Sequence, residues 1–511
     1  MDGRHGCTLH TMSCLLLVSG LGTVSLAGAD GRLPGEVALD AAASARLLAS
    51  TDNYAGRFHG VGQLRAASSC TATLVAASDS PPANAPALIL TAGHCVNYFD
   101  QNEVWVDRPG EAHWRFTPAF FHDTQAQHRA YPIKRILYAT MKAVDLAVLE
   151  LDTTYGELKR RRIEPLQLRT FDTDIRPIEL LQVPVIGVAP QEQFLRHAEC
   201  STQPRQAIYE SFAPWFWPRA VGNECDGVAG GSSGGPVVER LQNRIIGVLN
   251  ITLERTFNGC GLARPCEIDA QQQAHAREGS SYFTTVERLV PAFQADGSFD
   301  AAGLDTEPKV LFERPFQHVW TTRSQVPDAD GTLHPSRWDL RLGGAFEQVR
   351  FKTGGAQATD CESPQGYGEA VPIAQQPLLN RAAPAAEGVY IACVIGKPVG
   401  APWQQHASFA LREIDDTPPT AQPALGRRDS EEAWRVMATS APNELSSVMY
   451  KYGPLETVDC AAAQDYRPQL NNHYHTLDKG RAWRFCAYGL DLAENRGPVL
   501  QEDFTPAAQA R

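Results

Sequence analysis

The sequence is poor in positive charge: Lys and Arg number 46 against 58 Asp and Glu, a net charge of -12. Nucleic-acid binders usually show the opposite balance, so no nucleic-acid partner is expected. Beyond the first thirty residues no stretch reaches about 18 unbroken apolar positions, the length a membrane span needs, so the mature chain should carry none. There is no CxxC motif and no Cys/His grouping at ligand spacing, which argues against structural zinc; no metal or organic cofactor is expected. Helical periodicity is scarce, confined to Ala41 to Ala49 and a segment near Val286 to Phe293, which excludes a helical bundle. What is present suits globular protein: 43% hydrophobic and 20% charged residues over 511 positions. At about 150 residues per domain that length suggests about three domains.

The N-terminus reads as an export signal. Arg4 precedes an apolar stretch, Cys14-Leu15-Leu16-Leu17-Val18, continued by Leu21, Val24 and Leu26 and closed by Ala27-Gly28-Ala29, an A-x-A cleavage pattern. Residues 1–29 are therefore expected to be removed and 30–55 to form an N-terminal segment, in a secreted or periplasmic protein. Cys7 and Cys14 would leave with the signal. The remaining ten cysteines fall into sequence-local pairs, Cys70/Cys95, Cys200/Cys225, Cys260/Cys266, Cys361/Cys393 and Cys460/Cys486, which suits disulfides formed in an oxidising compartment.

From about Arg57 to Val290 short apolar or β-branched runs alternate with turn residues. The runs are Phe58 to Leu64, Ala72 to Val75, Ala87 to Leu90, Val144 to Leu151, Leu181 to Ile186, Pro236 to Val238 and Ile245 to Ile251. This predicts an all-β barrel or sandwich domain over 56–297. The Gly- and Asp-rich stretch from Ala295 to Pro308 reads as a linker. The rest carries an internal repeat. Phe351-Lys352-Thr353-Gly354 leading to Asp360-Cys361 matches Tyr450-Lys451-Tyr452-Gly453 leading to Asp459-Cys460, and Trp338 and Trp434 each open a strand-like run. Two β-sandwich modules are expected, 308–416 and 417–507. They resemble immunoglobulin-like or fibronectin-like modules loosely, because the Cys spacing is short for a cross-sheet bridge and no Cys-Trp-Cys pattern occurs. Two roles stay open for them, binding a polymer or surface and stabilising the first domain; Trp320, Trp403 and Trp483 are expected in module cores. Asp328-Ala329-Asp330-Gly331 reads as a turn rather than a calcium loop, and His473 and His475 as a surface pair.

Three segments carry chemistry: Leu90-Thr91-Ala92-Gly93-His94-Cys95, Val144-Asp145-Leu146 and Gly230-Gly231-Ser232-Ser233-Gly234-Gly235-Pro236. A carboxylate between Val144 and Leu146 loses solvent and requires a charged or hydrogen-bonding partner. An imidazole N–H is a suitable one, leaving the other ring nitrogen as the acceptor a general base needs. Gly-Ser-Ser-Gly-Gly-Pro, set between strand-like runs, gives a side-chain-poor turn that a substrate carbonyl can approach.

In this order, His then Asp then Ser, the segments resemble the chymotrypsin/trypsin family of serine peptidases, and the resemblance covers the first domain. It implies a chymotrypsin-like double β-barrel and a secreted, bacterial-type serine endopeptidase acting on protein or peptide substrates. Ser233 would be the nucleophile, His94 the proton shuttle and Asp145 its orienting carboxylate, with the N–H groups of Gly231 and Ser233 holding the oxyanion. Where many animal members carry the Asp of a zymogen latch this chain has Ser232, so no such latch is expected. The resemblance makes Cys225-Asp226-Gly227-Val228-Ala229 one wall of the primary pocket, with Asp226 and Gly227 against the substrate. It puts Asn250 and Thr252 on the opposite wall, where the family usually has Ser-Trp-Gly. Glu267 and Asp269 read as solvated loop charge. The alternative from another class is a catalytically inactive peptidase fold serving as an adhesion or binding protein.

Overall fold

The computed structural model describes residues 45–172, 175–210, 215–252, 260, 264–313, 321–440 and 444–506. The export signal with Cys7 and Cys14, Trp320, and parts of the 30–55 segment and of the loop around Cys260 lie outside the described residues. The chain is nearly all β.

Six strands close the first barrel: Val61–Arg65, Ser69–Ala76, Pro86–Thr91, Leu146–Thr154, Tyr131–Thr140 and Arg115–Pro118, the last pairing back to the first. A second ring follows: Pro177–Gln182, Arg196–Glu210, Trp215–Asn223, Ser281–Thr285, Arg244–Thr252 and Pro236–Glu239, which returns to Pro177–Gln182. Closure leaves neither sheet with a free edge around its ring. Runs that are apolar at every position, such as Leu146 to Leu149, are buried throughout, as both faces of the strand are covered. The short strand Leu166–Leu168 pairs in parallel with Ser69–Ala76 and with Arg244–Thr252, stitching the barrels together. One continuous apolar core, containing Phe58, Phe116, Leu181, Trp217 and Tyr282, spans the seam.

All five expected disulfides form: Cys70–Cys95, Cys200–Cys225, Cys260–Cys266, Cys361–Cys393 and Cys460–Cys486. Cys225 is buried with Ile178, Leu180, Val221 and Val237 in a core of the second barrel, and Cys200 packs against that cluster from the strand Arg196–Glu210.

Several local expectations are corrected. The described part of the Ala41 to Ala49 run is the strand Arg46–Leu47 on the second barrel, because pairing with His197 and Arg196 satisfies its backbone groups. The segment near Val286 to Phe293 holds a single 3-10 turn, Val290–Ala292, with Pro291 limiting its extension. The run expected from Leu181 to Ile186 is a strand only through Gln182; beyond it the N–H groups of Val185 and Ile186 both donate to Gly230 O. The expected linker is packed: Leu304 is buried, Phe293 meets Phe299 edge-on, and Asp305 forms a buried pair with Lys142. Trp338 opens no strand but is buried in the core of the first module.

The first C-terminal module is built on a five-stranded sheet ordered Thr321–Thr322, Ser408–Ile414, Gly388–Lys397, Gln348–Gly355, Val371–Pro372. It sits against the second barrel. Ala207, Tyr209, Phe216, Cys266 and Ile268 share its apolar core. Asn102 of the first barrel side gives its amide N–H to Phe409 O at 2.8 Å and accepts Phe409 N–H at 2.9 Å. Tyr209 donates to Glu413 at 2.6 Å. The second module pairs a three-stranded sheet with a four-stranded one.

The repeat noticed in the sequence is a local clamp made twice. Lys352 Nζ donates to Ser363 O and Gln365 O and lies 4.4 Å from the Tyr367 ring centre, while Tyr367 OH donates to Cys361 O. Lys451, Ala462, Gln464, Tyr466 and Cys460 repeat every contact. Each bridge, Cys361–Cys393 and Cys460–Cys486, ties a loop to a strand next to this clamp, unlike the cross-sheet bridge of an immunoglobulin domain. Residues 328–332 form the expected turn, Asp328 Oδ1 accepting from Asp330 N and Thr332 N. Trp483 is buried as expected and Trp403 half-buried. The His473/His475 expectation is corrected: His473 is exposed, but His475 is buried, stacked on Tyr450 at 4.0 Å.

Replacing Asn102 by Leu removes both hydrogen bonds to Phe409 and should lower stability by about 1–3 kcal/mol, read as a shift of the urea midpoint without a change in denaturant slope.

Candidate active site

The strand Pro86–Thr91 runs into a single 3-10 turn, Gly93–Cys95. A Cβ on Gly93 would lie 2.2 Å from Thr140 O, so only glycine lets the turn pack this closely. The turn delivers His94 to the seam between the barrels, and the Cys70–Cys95 bond anchors it to the adjoining strand.

Asp145 arrives from the loop after Thr140, in which Ala143 takes a left-handed φ of 57°. Its carboxylate is 1% exposed and grips His94 twice: Oδ1 accepts the His94 backbone N–H at 2.9 Å, and Oδ2 meets Nδ1 at 2.6 Å. With Nδ1 donating, the neutral ring keeps Nε2 as its acceptor. Burial alone would push the imidazole pKa down, but the charge and hydrogen bond of Asp145, helped by Glu210, hold it above the ordinary 6.5. Behind the carboxylate, Asp145 O accepts Asn250 Nδ2 at 2.6 Å and Thr284 Oγ1 at 3.3 Å, and Asn250 Oδ1 accepts Thr284 N–H at 2.6 Å.

Ser233 sits in a turn that only glycines permit: Gly231 has φ of 100° and Gly234 of 84°. A Cβ on Gly234 would stand 2.0 Å from Thr71 O and 2.1 Å from Thr91 Oγ1. Thr71 knots this turn to the first barrel. Its N–H donates to Ser233 O at 2.8 Å, its hydroxyl donates to Gly231 O at 3.0 Å and accepts Val183 N–H at 2.9 Å, and its carbonyl accepts Thr91 Oγ1 at 2.8 Å. Among the described residues, neither Gly231 N–H nor Ser233 N–H donates to a protein acceptor. Ser232 is buried, its Oγ accepting Ala229 N–H, so it braces its own loop. The Ser233 hydroxyl donates to Asn250 O at 3.2 Å rather than to the His94 ring.

His94, Asp145 and Ser233 all line one cavity of about 330 Å³. Ile186, Val228, Ala229, Gly230 and Leu249 form its apolar side. Thr252 and Asn250 are on the wall, although the Asn250 amide points to Asp145 and Thr284.

The other expected wall is corrected: Cys225, Asp226 and Gly227 do not line the cavity, and the wall is formed by the three residues after Gly227. Cys225 is drawn away into the second barrel by its bond to Cys200, and its N–H donates to Asn223 Oδ1 at 3.2 Å. It supports the wall from behind instead of facing a substrate. Asp226 is exposed. Glu267 accepts from Tyr282 OH, and Asp269 pairs with His275 at the surface. Sequence reasoning missed Thr71, Tyr98, Met141, Glu210, Trp215 and Trp217. The run Trp215-Phe216-Trp217, aromatic at alternate positions on one strand face, was the one signal available.

Two closed six-stranded rings with a His/Asp/Ser cavity at their seam define the double-barrel architecture of trypsin-like peptidases. Residues 70–248 match the family model of the trypsin-like peptidase domain, which supports a chymotrypsin/trypsin-like assignment for that part of the chain. Among solved structures, a thermostable serine protease from an extremophilic microorganism is 14% identical, with a TM-score of 0.30 over 45% of this chain and 92% of its own. The protease Anisep from Arthrobacter nicotinovorans is also 14% identical, with a TM-score of 0.30 over 44% of this chain and 90% of its own. No curated protein matches the chain.

Two outcomes follow from this geometry. Thr71→Val keeps the shape of the side chain but strands Val183 N–H and Gly231 O, and should cost about 1–3 kcal/mol for each unpaired group, measured by denaturant unfolding. The His94 ring, followed by NMR, should titrate above 6.5 in the native chain and lower in Asp145→Asn. Because folded His94 holds its proton more tightly, it adds stability that is fully present below pH 6.5 and lost as pH rises through the elevated folded value.

Proposed function

We propose that the chain is a secreted serine endopeptidase. The observation that carries this reading is the buried Asp145 holding His94 through both its backbone and its ring, beside Ser233 on one cavity. In this reading the Ser233 hydroxyl rotates from Asn250 O to His94 Nε2, a change between staggered rotamers. Its proton passes to Nε2 as Oγ bonds to the substrate carbonyl carbon. The carbonyl electrons move onto oxygen, which the N–H groups of Gly231 and Ser233 receive. Collapse breaks the C–N bond, the leaving amine takes the proton from His94, and water then repeats the sequence to release the acid. Asp145 holds the ring in place and stabilises the imidazolium. The apolar Val228 to Gly230 wall favours an uncharged side chain next to the attacked carbonyl.

Residues 1–29 act as the export signal in this reading, 56–297 as the peptidase domain, and 308–416 and 417–507 as accessory β modules. Five disulfides support an extracytoplasmic site. No helix among the described residues is long and apolar enough to cross a membrane. The hydrogen bond from Ser233 to Asn250 O favours one other reading, a catalytically idle fold that binds without cutting.

A fluorophosphonate probe separates the two. The peptidase is labelled at Ser233 and hydrolyses casein; Ser233→Ala loses both, and Asp145→Asn loses about four orders of magnitude in turnover, the size known for such a change in the family's template. A folded native chain that resists the probe and leaves casein intact is the binding protein instead.

A further inference from the structure

Besides the apolar Val228–Gly230 stretch, the cavity has a chemically different wall: Tyr98, Glu210, Trp215 and Trp217 line it, with Glu210 paired to Trp215 across adjacent strands. Glu210 ends the strand Arg196–Glu210, is 3% exposed, and is fixed by a further interaction of its own. Tyr98 and Trp215 stack with ring centres 6.0 Å apart, and the Trp215 ring is locked by its Nε1–H donating to Phe99 O at 2.9 Å. Tyr98 itself is largely exposed at the cavity mouth.

We infer that this wall is a second specificity subsite, which selects a lysine or arginine side chain of the substrate at a position removed from the residue held against Val228–Gly230. The inference rests on the peptidase reading. A carboxylate shielded from bulk water attracts a nearby cation more strongly than one in solvent does. Aromatic faces attract that cation through their quadrupoles, and the planar guanidinium also stacks on them. Asp145, on the same cavity, adds negative charge, so an acidic side chain there is repelled. The field of Glu210 is felt at both nearby titrating rings: with burial first and Glu210 next, the Tyr98 phenol is pushed up, and Glu210 contributes to raising His94. Among the described residues, Glu210 and Asp145 are the two carboxylates that line this cavity.

The test is a positional-scanning library of internally quenched peptides, cleaved by the full chain and by Glu210→Gln and Tyr98→Leu. At one acyl-side position Lys or Arg should exceed norleucine by at least about tenfold in kcat/KM, with Asp and Glu below norleucine. Glu210→Gln should bring that ratio near one and move the acid limb of activity to lower pH, since a charge that raises His94 is gone. Tyr98→Leu, at an exposed position, should lower the ratio partway, and it carries the test if Glu210→Gln fails to fold. A native enzyme that is labelled at Ser233 and cleaves peptides without any basic preference overturns this inference alone. So does a ratio that both variants leave unchanged. Absence of labelling and cleavage together removes the peptidase reading, and this inference with it.

Discussion

The candidate site depends on how one buried threonine uses all its hydrogen-bonding capacity across a seam. Thr71 belongs to the first barrel, yet its N–H and hydroxyl hold the carbonyls of Ser233 and Gly231, and its hydroxyl also receives Val183 N–H from the second. With those carbonyls drawn toward the first barrel, the N–H groups of the same turn are left facing elsewhere. The glycines at 231 and 234 accept the left-handed backbone this demands, and no other residue fits where Gly234 touches Thr71 O. A buried network of this kind fixes one geometry because each alternative strands a polar group in a dry interior.

The second constraint is the burial of Asp145. A carboxylate with almost no solvent access is tolerable only when its oxygens are occupied. Here the N–H of the histidine turn and the imidazole occupy them, while Asn250 and Thr284 of the second barrel grip the carbonyl behind. His94 and Asp145 come from the first barrel and Ser233 from the second, so the relative placement of the barrels is itself a chemical variable. The parallel strand Leu166–Leu168 and the shared core hold it fixed.

Much of this was legible in the sequence because it is local. Short strand runs punctuated by turn residues predicted an all-β chain, and neighbouring cysteines paired as their spacing suggested. His94, Asp145 and Ser233 stand out because their three segments occur together in the order His, Asp, Ser, although a core histidine or a Gly/Ser turn alone is ordinary, and the fold brings all three to one cavity. What was not legible depends on distance in the chain. The Gly- and Asp-rich stretch around 295–308 looked like a linker, but composition does not reveal that Asp305 would meet Lys142 in the interior. Asn250 was assigned to a substrate wall from its position, and its amide direction is decided by Thr284 and Asp145, far away in sequence. The stretch from Cys225 to Ala229 was assigned to the pocket as a unit, but the disulfide to Cys200 pulls its first residue into the barrel core. Asp226 then turns outward, and only Val228 and Ala229 reach the cavity. Glu210 gave no local signal: its place follows from a 15-residue strand long enough to run past the barrel.

That long strand has the cavity on one side and the first C-terminal module on the other. Tyr209 is bound to Glu413, Phe216 packs against Phe409, and Asn102 clasps the backbone of Phe409. The hairpin behind the aromatic wall therefore lacks its backing until residues some 300 positions downstream of Asn102 exist. Ribosomes extend a chain vectorially, at about 5–20 residues per second, so a nascent chain that already holds every residue of both barrels waits several seconds or longer for the residues that pack against this hairpin.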